Sequence, residues 1–145
     1  MVVYILHCRA SLENVGTLKL NKEANLCFSV RNPQDANEVR EKIVVDPSVL
    51  HEASKGHHSK HRSEEPSHFA MKWENGEDRA TLRILGVDSV VEKAMDSVDG
   101  MKAKIHSSKE IEKALDQIRD IKGEDNGNWV PMLALDCNGL EPYAL

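Results

Sequence analysis

Several short stretches of this chain alternate apolar and polar residues, which is the period of a strand buried on one face. Residues 69–73 and 80–85 show it most clearly, and between them stands Asn75-Gly76, a dipeptide typical of tight hairpin turns. Strand-forming residues also dominate positions 1–8, 17–30, 38–45 and 129–136. The pattern predicts a mainly β fold, either an antiparallel sandwich or a partly open barrel.

A helical period interrupts the strands in the second half of the chain. Ser107 and Glu110 have the spacing of a capping box, in which each side chain bonds a free backbone N–H at a helix start, and Gly123 is suited to end that helix. The predicted apolar face of this helix consists of Ile111, Ala114, Leu115 and Ile118. A shorter helix before it has a predicted apolar face of Val90, Val91, Ala94 and Val98. We expect the helices at about residues 88–122, inside an insertion that spans 86–123.

Residues 51–68 contain almost no apolar side chain and are rich in Ser, Lys, His and Glu. Such a segment cannot bury enough apolar surface to offset the entropy lost on ordering, so we predict a flexible loop. Three histidines cluster within it, His57, His58 and His61, and imidazoles bind zinc, copper or nickel. Two interpretations stay open: a functional metal site, and a loop with adventitious metal binding or none.

Composition limits the classes of function. A length of 145 residues is usual for one domain, which we assign to residues 1–145. No apolar run approaches the roughly 18 residues that span a bilayer, and no basic residue precedes the opening apolar residues as in a signal peptide. We therefore expect a protein of the cytosol or nucleus that does not enter membranes. A formal net charge of −5 disfavours binding to nucleic acid.

Neither the cysteines nor other reactive side chains indicate an enzyme. Cys8, Cys27 and Cys137 are odd in number and far apart in sequence, which fits reduced, buried thiols. No nucleophile with an adjacent base, glycine-rich phosphate loop or pair of catalytic carboxylates rises above background. We therefore expect no catalysis and no cofactor.

Two motifs near the ends of the chain carry a family resemblance. They are Ala10-Ser-Leu-Glu-Asn-Val15 and the closing stretch Ala134-Leu-Asp-Cys-Asn-Gly-Leu-Glu-Pro-Tyr-Ala-Leu145. In order and spacing they resemble the eukaryotic CXXC-motif-containing zinc-binding proteins, a small and mostly β family of poorly defined cellular role. The resemblance covers about residues 8–85 and 124–145, and family members continue with a further acidic segment where this sequence stops.

This resemblance implies a zinc ion held by two Cys-x-x-Cys pairs. Placed on this sequence, the pairs fall on Asn32-Pro-Gln-Asp35, which also has the chemistry of a turn, and on Trp73-Glu-Asn-Gly76. Structural zinc prefers four thiolate or imidazole ligands, and only Asp35 offers a usual zinc-binding group. We therefore predict that the family's metal site is lost. Trp73 either fills the space of the metal and its sulfurs or is an ordinary strand residue.

The closing motif and the second helix are candidate partner-binding surfaces. Structurally, Asn138-Gly139 predicts a tight turn and Glu141-Pro142 an extended exit. Functionally, the candidate residues are Leu140, Glu141 and Tyr143 of the motif and Ile111, Leu115 and Ile118 of the helix. We favour a non-catalytic module that binds a protein partner on a metal-free β scaffold. The alternative is a metal-handling protein that uses the His-rich loop.

Overall fold

The molecule is built from strands that form two sheets and a short ribbon. A computed structural model describes residues 2–51, 66–74, 76, 78–86 and 109–144. The strands are β1 (Val2–Cys8), β2 (Thr17–Leu18), β3 (Leu26–Asn32), β4 (Asp35–Val45), β5 (Phe69–Lys72), β6 (Arg79–Leu85), β7 (Ile121–Lys122), β8 (Val130–Asn138) and β9 (Glu141–Ala144). Helix α1 spans Lys109–Gln117, and a single 3-10 turn spans Gly123–Asp125.

All strand pairs are antiparallel. One sheet has the order β1-β8-β6-β5, a second has the order β4-β3-β9, and β2 pairs with β7. Within the described residues both larger sheets are open, with β1 and β5 as the edges of the first and β4 and β9 as the edges of the second. The prediction of a mainly β antiparallel fold is confirmed, and of the two predicted architectures the sandwich is the correct one.

The main core lies between the two larger sheets and follows the alternation of the sequence. In β3, Leu26, Phe28 and Val30 are buried, whereas Cys27 between them is exposed. The same cluster includes Leu82 of β6 and Leu133 of β8. Since successive side chains of a strand point to opposite faces, the period of two places one apolar set per strand in this core.

Strand β8 is buried on both faces because helix α1 covers the outer side of the first sheet. Ile111 and Ala114 of the helix form a second buried cluster with Leu85 of β6 and Ala134 of β8. This explains why β8 is apolar almost throughout, with a buried pattern that is nearly continuous from Val130.

The predicted end of the helix at Gly123 is wrong. The helix ends at Gln117, and Ile121 is fully buried in β7, where it pairs with Leu18 of β2. Gly123 instead donates its N–H to the Gly16 carbonyl at 3.2 Å. Ile121 continues the three-residue spacing of the helix face, so the sequence pattern alone could not separate the two elements.

Of the remaining predictions, one turn is confirmed and several fall on residues outside the described ranges. The turn at residues 32–35 is confirmed, since Asn32 pairs with Asp35 at the end of the β3–β4 hairpin. The predicted helix at 90–98, Ser107 and the interior of the 51–68 loop lie outside the described residues. At the ends of that loop, His51 and Ser67 exchange two backbone hydrogen bonds of 2.7 and 3.2 Å. None of the described helical residues makes a helix long and apolar enough to cross a bilayer.

Candidate functional site

The four positions that the resemblance assigns to zinc ligands lie at the tips of two hairpins. Asn32 and Asp35 flank the β3–β4 turn, and Trp73 and Gly76 lie in the β5–β6 turn. The Asn32 amide oxygen accepts the Gln34 N–H at 2.9 Å, and Asp35 accepts the Asn37 N–H through Oδ1 at 3.0 Å. These two side chains are therefore used to shape their own turn, as is common for Asn and Asp.

Trp73 and Gly76 organise the second tip. Trp73 is 6% exposed and packs in the main core, and its Nε1–H donates to the Gly139 carbonyl at 2.7 Å. The Gly76 N–H donates to the Trp73 carbonyl at 3.2 Å. Trp73 thus links its hairpin to the turn between β8 and β9, where Gly139 has a φ of +67° that favours glycine.

Glu38 joins the two tips directly. Its carboxylate accepts the Asn32 side-chain N–H through Oε2 and the Glu74 backbone N–H through Oε1, each at 2.7 Å. The side chain of Glu74 lies 3.6 Å from Arg40 of the first hairpin. We call the arrangement of Glu38, Asn32 and Glu74 the Glu38 bridge. One half-buried carboxylate therefore accepts hydrogen bonds from both hairpins.

These residues do not fit a structural zinc ion. Tetrahedral zinc needs four ligands of thiolate, imidazole or carboxylate type. Trp73 presents an N–H donor that is already bonded, Gly76 has no side chain, and the Asn32 amide is bonded at both its oxygen and its nitrogen. Across the ranges that the structure describes, no three His, Cys, Asp or Glu side chains come together as metal ligands.

The three cysteines lie in different environments. Cys137 is buried, and burial raises the pKa of its thiol to about 12, so it is an unreactive core residue at neutral pH. Cys8 is half-buried at the end of β1. The prediction of a buried thiol is wrong for Cys27, which is exposed because it faces away from the core and pairs with Val44, itself 59% exposed.

The closing motif is used mostly inside the molecule. Leu140 is 2% exposed and belongs to the main core, so it cannot form part of a partner-binding surface. Glu141 accepts two hydrogen bonds from Arg31 at 2.9 and 2.7 Å, and these bonds hold the pKa of its carboxyl below the usual range. Tyr143 is 45% exposed and is the one member of the three that remains available to a partner.

The helix face predicted to bind a partner packs on the protein itself. Ile111 is buried, and Leu115 and Ile118 are half-buried in the cluster that the helix makes with β1 and β8. Leu115 also lies against Gly86, where an added Cβ would stand 3.1 Å from its Cδ2. The apolar face is therefore not free for docking, and the sequence alone could not tell an inward face from an outward one.

Among the histidines, His68 has a structural role. His57, His58 and His61 lie outside the described residues. His68 is 5% exposed, and its Nδ1 accepts the Ile84 N–H of β6 at 2.9 Å. Burial, together with the positive charge of Arg83, lowers the pKa of His68 to about 4. It is therefore neutral at physiological pH.

Two ion pairs are held by largely buried carboxylates, and neither was predicted from the sequence. Arg83 of β6 donates to Asp136 of β8 at 3.0 Å, and both side chains are largely buried. Arg119 donates two hydrogen bonds of 2.6 Å to Asp125, which lower the pKa of that carboxyl to about 2. The Arg83–Asp136 pair joins two strands that are 53 residues apart, so no local sequence signal could reveal it.

A groove of about 340 Å³ opens beside the end of helix α1. Its floor is apolar and consists of Leu20, Ile118 and Met132, and its rim is charged and consists of Lys22, Arg119, Asp120 and Lys122. We call this feature the basic groove. Its volume is at the lower end of the range for small-molecule and peptide-anchor sites, roughly 300–1,000 Å³.

Comparisons with known proteins agree with the fold and with the resemblance. The family model for the eukaryotic CXXC motif containing zinc binding protein matches residues 5–145. A solved hypothetical protein from Plasmodium falciparum is similar with a TM-score of 0.62 and 16% identity, over 98% of this chain and 68% of that one. The crystal structure of C1orf123 is similar with a TM-score of 0.60 and 14% identity, over 97% of this chain and 65% of that one. The chain thus spans about two thirds of the length of both. No curated protein matches it.

Proposed function

This chain belongs to the eukaryotic family of CXXC motif containing zinc binding proteins, and from that premise we propose that it is a non-catalytic protein-interaction module that has lost the family's metal site. We place this role in the cytosol or nucleus. The observation that carries the metal-free part of the proposal is the Glu38 bridge between the two hairpin tips.

The Glu38 bridge supports a fold that needs no metal. A structural zinc ion contributes on the order of 10 kcal/mol to a small domain. Hydrogen bonds to a charged acceptor contribute roughly 1.5–3 kcal/mol each, and two of them meet at the Glu38 carboxylate. The buried ring of Trp73 adds apolar contact at the same tips. Together these contacts join the two hairpin tips through side chains of the protein.

The interaction part of the proposal is supported by exposed apolar side chains on the edge strands. Val39 and Val44 on β4 are 40% and 59% exposed, and Tyr143 lies on β9 at the opposite edge. An edge strand offers unpaired backbone groups to which an extended partner segment can add. Because the apolar face of the helix is packed against the protein, these edges are the more accessible surfaces.

Metal content is the first test. Untagged protein purified from its source cells and measured by mass spectrometry for zinc, copper and nickel should carry less than roughly one tenth of an equivalent of each. Chelator should leave the thermal unfolding midpoint unchanged. A full equivalent of zinc, lost together with stability on chelation, would refute the metal-free assignment. Bound metal without that loss of stability would favour the His-rich loop.

Partner capture through β4 is the second test. The wild-type protein and the double variant Val39→Lys/Val44→Lys should be purified from source cells side by side, with Val49→Lys as a control at another exposed valine. We expect a protein that copurifies with the wild type and with the control but not with the double variant. If the wild type emerges as a monomer with nothing enriched, the interaction role fails.

A further inference from the structure

Some charged residues around the basic groove are paired with an opposite charge, and others are not. Arg119 is bonded to Asp125, and Lys19 lies 3.4 Å from Asp120. Lys22 and Lys122 make no ion pair with any residue in the described ranges, although both line the groove. On a chain with a formal net charge of −5, the groove is therefore a local cationic site.

Helix stabilisation does not explain these two lysines. Cations near the C-terminus of a helix are favourable because the last carbonyls carry partial negative charge, and that account suits Arg119, two residues beyond α1. Lys22 instead follows β2, and Lys122 belongs to β7. Lys22 reaches the groove from a segment remote in sequence from the helix, and Lys122 reaches it from β7, just after the helix ends. Neither ammonium group is in an ion pair with a described residue.

The floor of the basic groove provides an apolar surface beside the charged rim. Met132 is 4% exposed, and Leu20 and Ile118 are half-buried, so the groove has an apolar base at the foot of its charged rim. Ligand-binding sites are usually apolar concavities with a few polar groups around them. The apolar part holds an apolar group of the ligand, and the polar groups fix its orientation. Lys22 is half-buried, as is usual for a lysine whose stem covers apolar surface while its ammonium group stays in water.

We propose that the basic groove binds an acidic peptide segment of a partner protein, with one apolar side chain on Leu20, Ile118 and Met132 and flanking carboxylates at Lys22 and Lys122. The proposal rests on the interaction role given above and adds a surface distinct from the β4 edge. Charge complementarity selects this occupant: the unpaired groups of the rim are ammonium ions, and carboxylates are the anions that protein segments carry in abundance.

A synthetic peptide tests the proposal directly. The probe is a fluorescein-labelled octapeptide of Asp and Glu with a central Leu-Phe pair, and binding to the full chain is followed by fluorescence anisotropy. We expect saturable binding that weakens about tenfold in Lys22→Glu/Lys122→Glu. Binding should weaken several-fold between 50 and 300 mM salt, since charge attraction at an exposed site is screened. Replacing Leu-Phe by Ala-Ala in the peptide should weaken binding at least fivefold.

A matched control variant distinguishes peptide binding at the groove from a general effect of net charge. Lys42→Glu/Lys72→Glu changes the charge equally at exposed lysines of β4 and β5 and should bind within twofold of the wild type. Both double variants should show the wild-type unfolding midpoint within a few degrees.

Three results would overturn the proposal. They are no binding of the peptide up to millimolar protein, an equal loss in both double variants, and tighter binding of a single-stranded DNA oligonucleotide that displaces the peptide. A partner captured through β4 in the presence of any of these results would leave the interaction role intact and remove only the groove.

Discussion

At the hairpin tips the carboxylate of Glu38 accepts hydrogen bonds from both hairpins, whereas at the basic groove the ammonium groups of Lys22 and Lys122 form no ion pair with a described residue. Both regions are charged, and Glu38 and Lys22 are both half-buried, so exposure alone does not separate them. The difference lies in whether the protein supplies the counterpart. A charge with an internal counterpart contributes to stability, and one without it is available to a ligand.

At the hairpin tips, the replacement of Trp73 by Ala should cause the largest loss of stability. It removes a buried ring and leaves the Gly139 carbonyl without its donor, at a cost of about 3–5 kcal/mol and a fall of roughly 10–20 °C in Tm. Trp129→Ala is the control, because that ring is 63% exposed beside Arg9, and it should change the Tm by only a few degrees. A negligible effect at Trp73 would show that it does not hold the tips.

Acid should weaken the sandwich through His68. Its folded pKa of about 4 is below the value of about 6.5 in an unfolded chain, so the unfolded chain binds more protons between these values. The stability from neutral His68 is present above pH 6.5 and is lost as the pH falls toward 4, by up to about 3 kcal/mol.

A non-titrating variant isolates this contribution. His68→Asn keeps an acceptor for the Ile84 N–H and should lose less stability than the wild type between pH 7.5 and 4.5, as measured by urea unfolding. His7→Asn, at an exposed site, should behave as the wild type. If His68→Asn and the wild type lose the same free energy, carboxylates rather than His68 dominate the acid response.

Loss of the Glu38 bridge should cost less than the loss of Trp73. Glu38→Ala leaves the Asn32 side chain and the Glu74 N–H without their acceptor, and we expect a destabilisation of about 1.5–3 kcal/mol by chemical unfolding. Glu41→Ala, at an exposed position of the same strand, should cost less than about 0.5 kcal/mol.

A double-mutant cycle sharpens the assignment. Asn32→Ala combined with Glu38→Ala should cost less than the sum of the two single changes, because they share one bond. Strict additivity would mean that the contact at the tips carries no interaction energy.

The smallest effect on stability belongs to the groove. Lys22→Ala and Lys122→Ala should each change the free energy of unfolding by less than about 0.5 kcal/mol, because neither ammonium group is in an ion pair with a described residue. The same variants should weaken the acidic peptide several-fold. A groove variant as destabilising as Glu38→Ala would erase the distinction between the two regions.

The sequence predicted the elements well where a local pattern decides them. The strand alternation, the 32–35 turn and the β5–β6 hairpin are local signals, and the structure has all three. The end of α1 and the exposure of Cys27 depend on which surface each element packs against, and the sequence interpretation was wrong there.

The candidate sites were harder to predict for the same reason. The functional interpretation of the closing motif has Leu140 at a partner-binding surface, although the β8–β9 turn carries it into the core. The Glu38 bridge joins backbone and side-chain groups 36 residues apart, and the basic groove joins Lys22 to Lys122 across the β2–β7 ribbon. Contacts of this kind appear only when strands remote in sequence are brought together, and they leave no periodic signal.

The pairing of β1 with β8 has a consequence for how the chain is made. Val2 pairs with Cys137 and Cys8 with Val130, so the first strand finds its neighbour only after nearly all the strands between them exist. At about 5–20 residues per second, synthesis of the intervening chain takes roughly 6 to 25 s. Through that interval β1 has an unpaired backbone and uncovered apolar side chains. Unpaired strand edges and exposed apolar surface of this kind are what make nascent chains prone to aggregation.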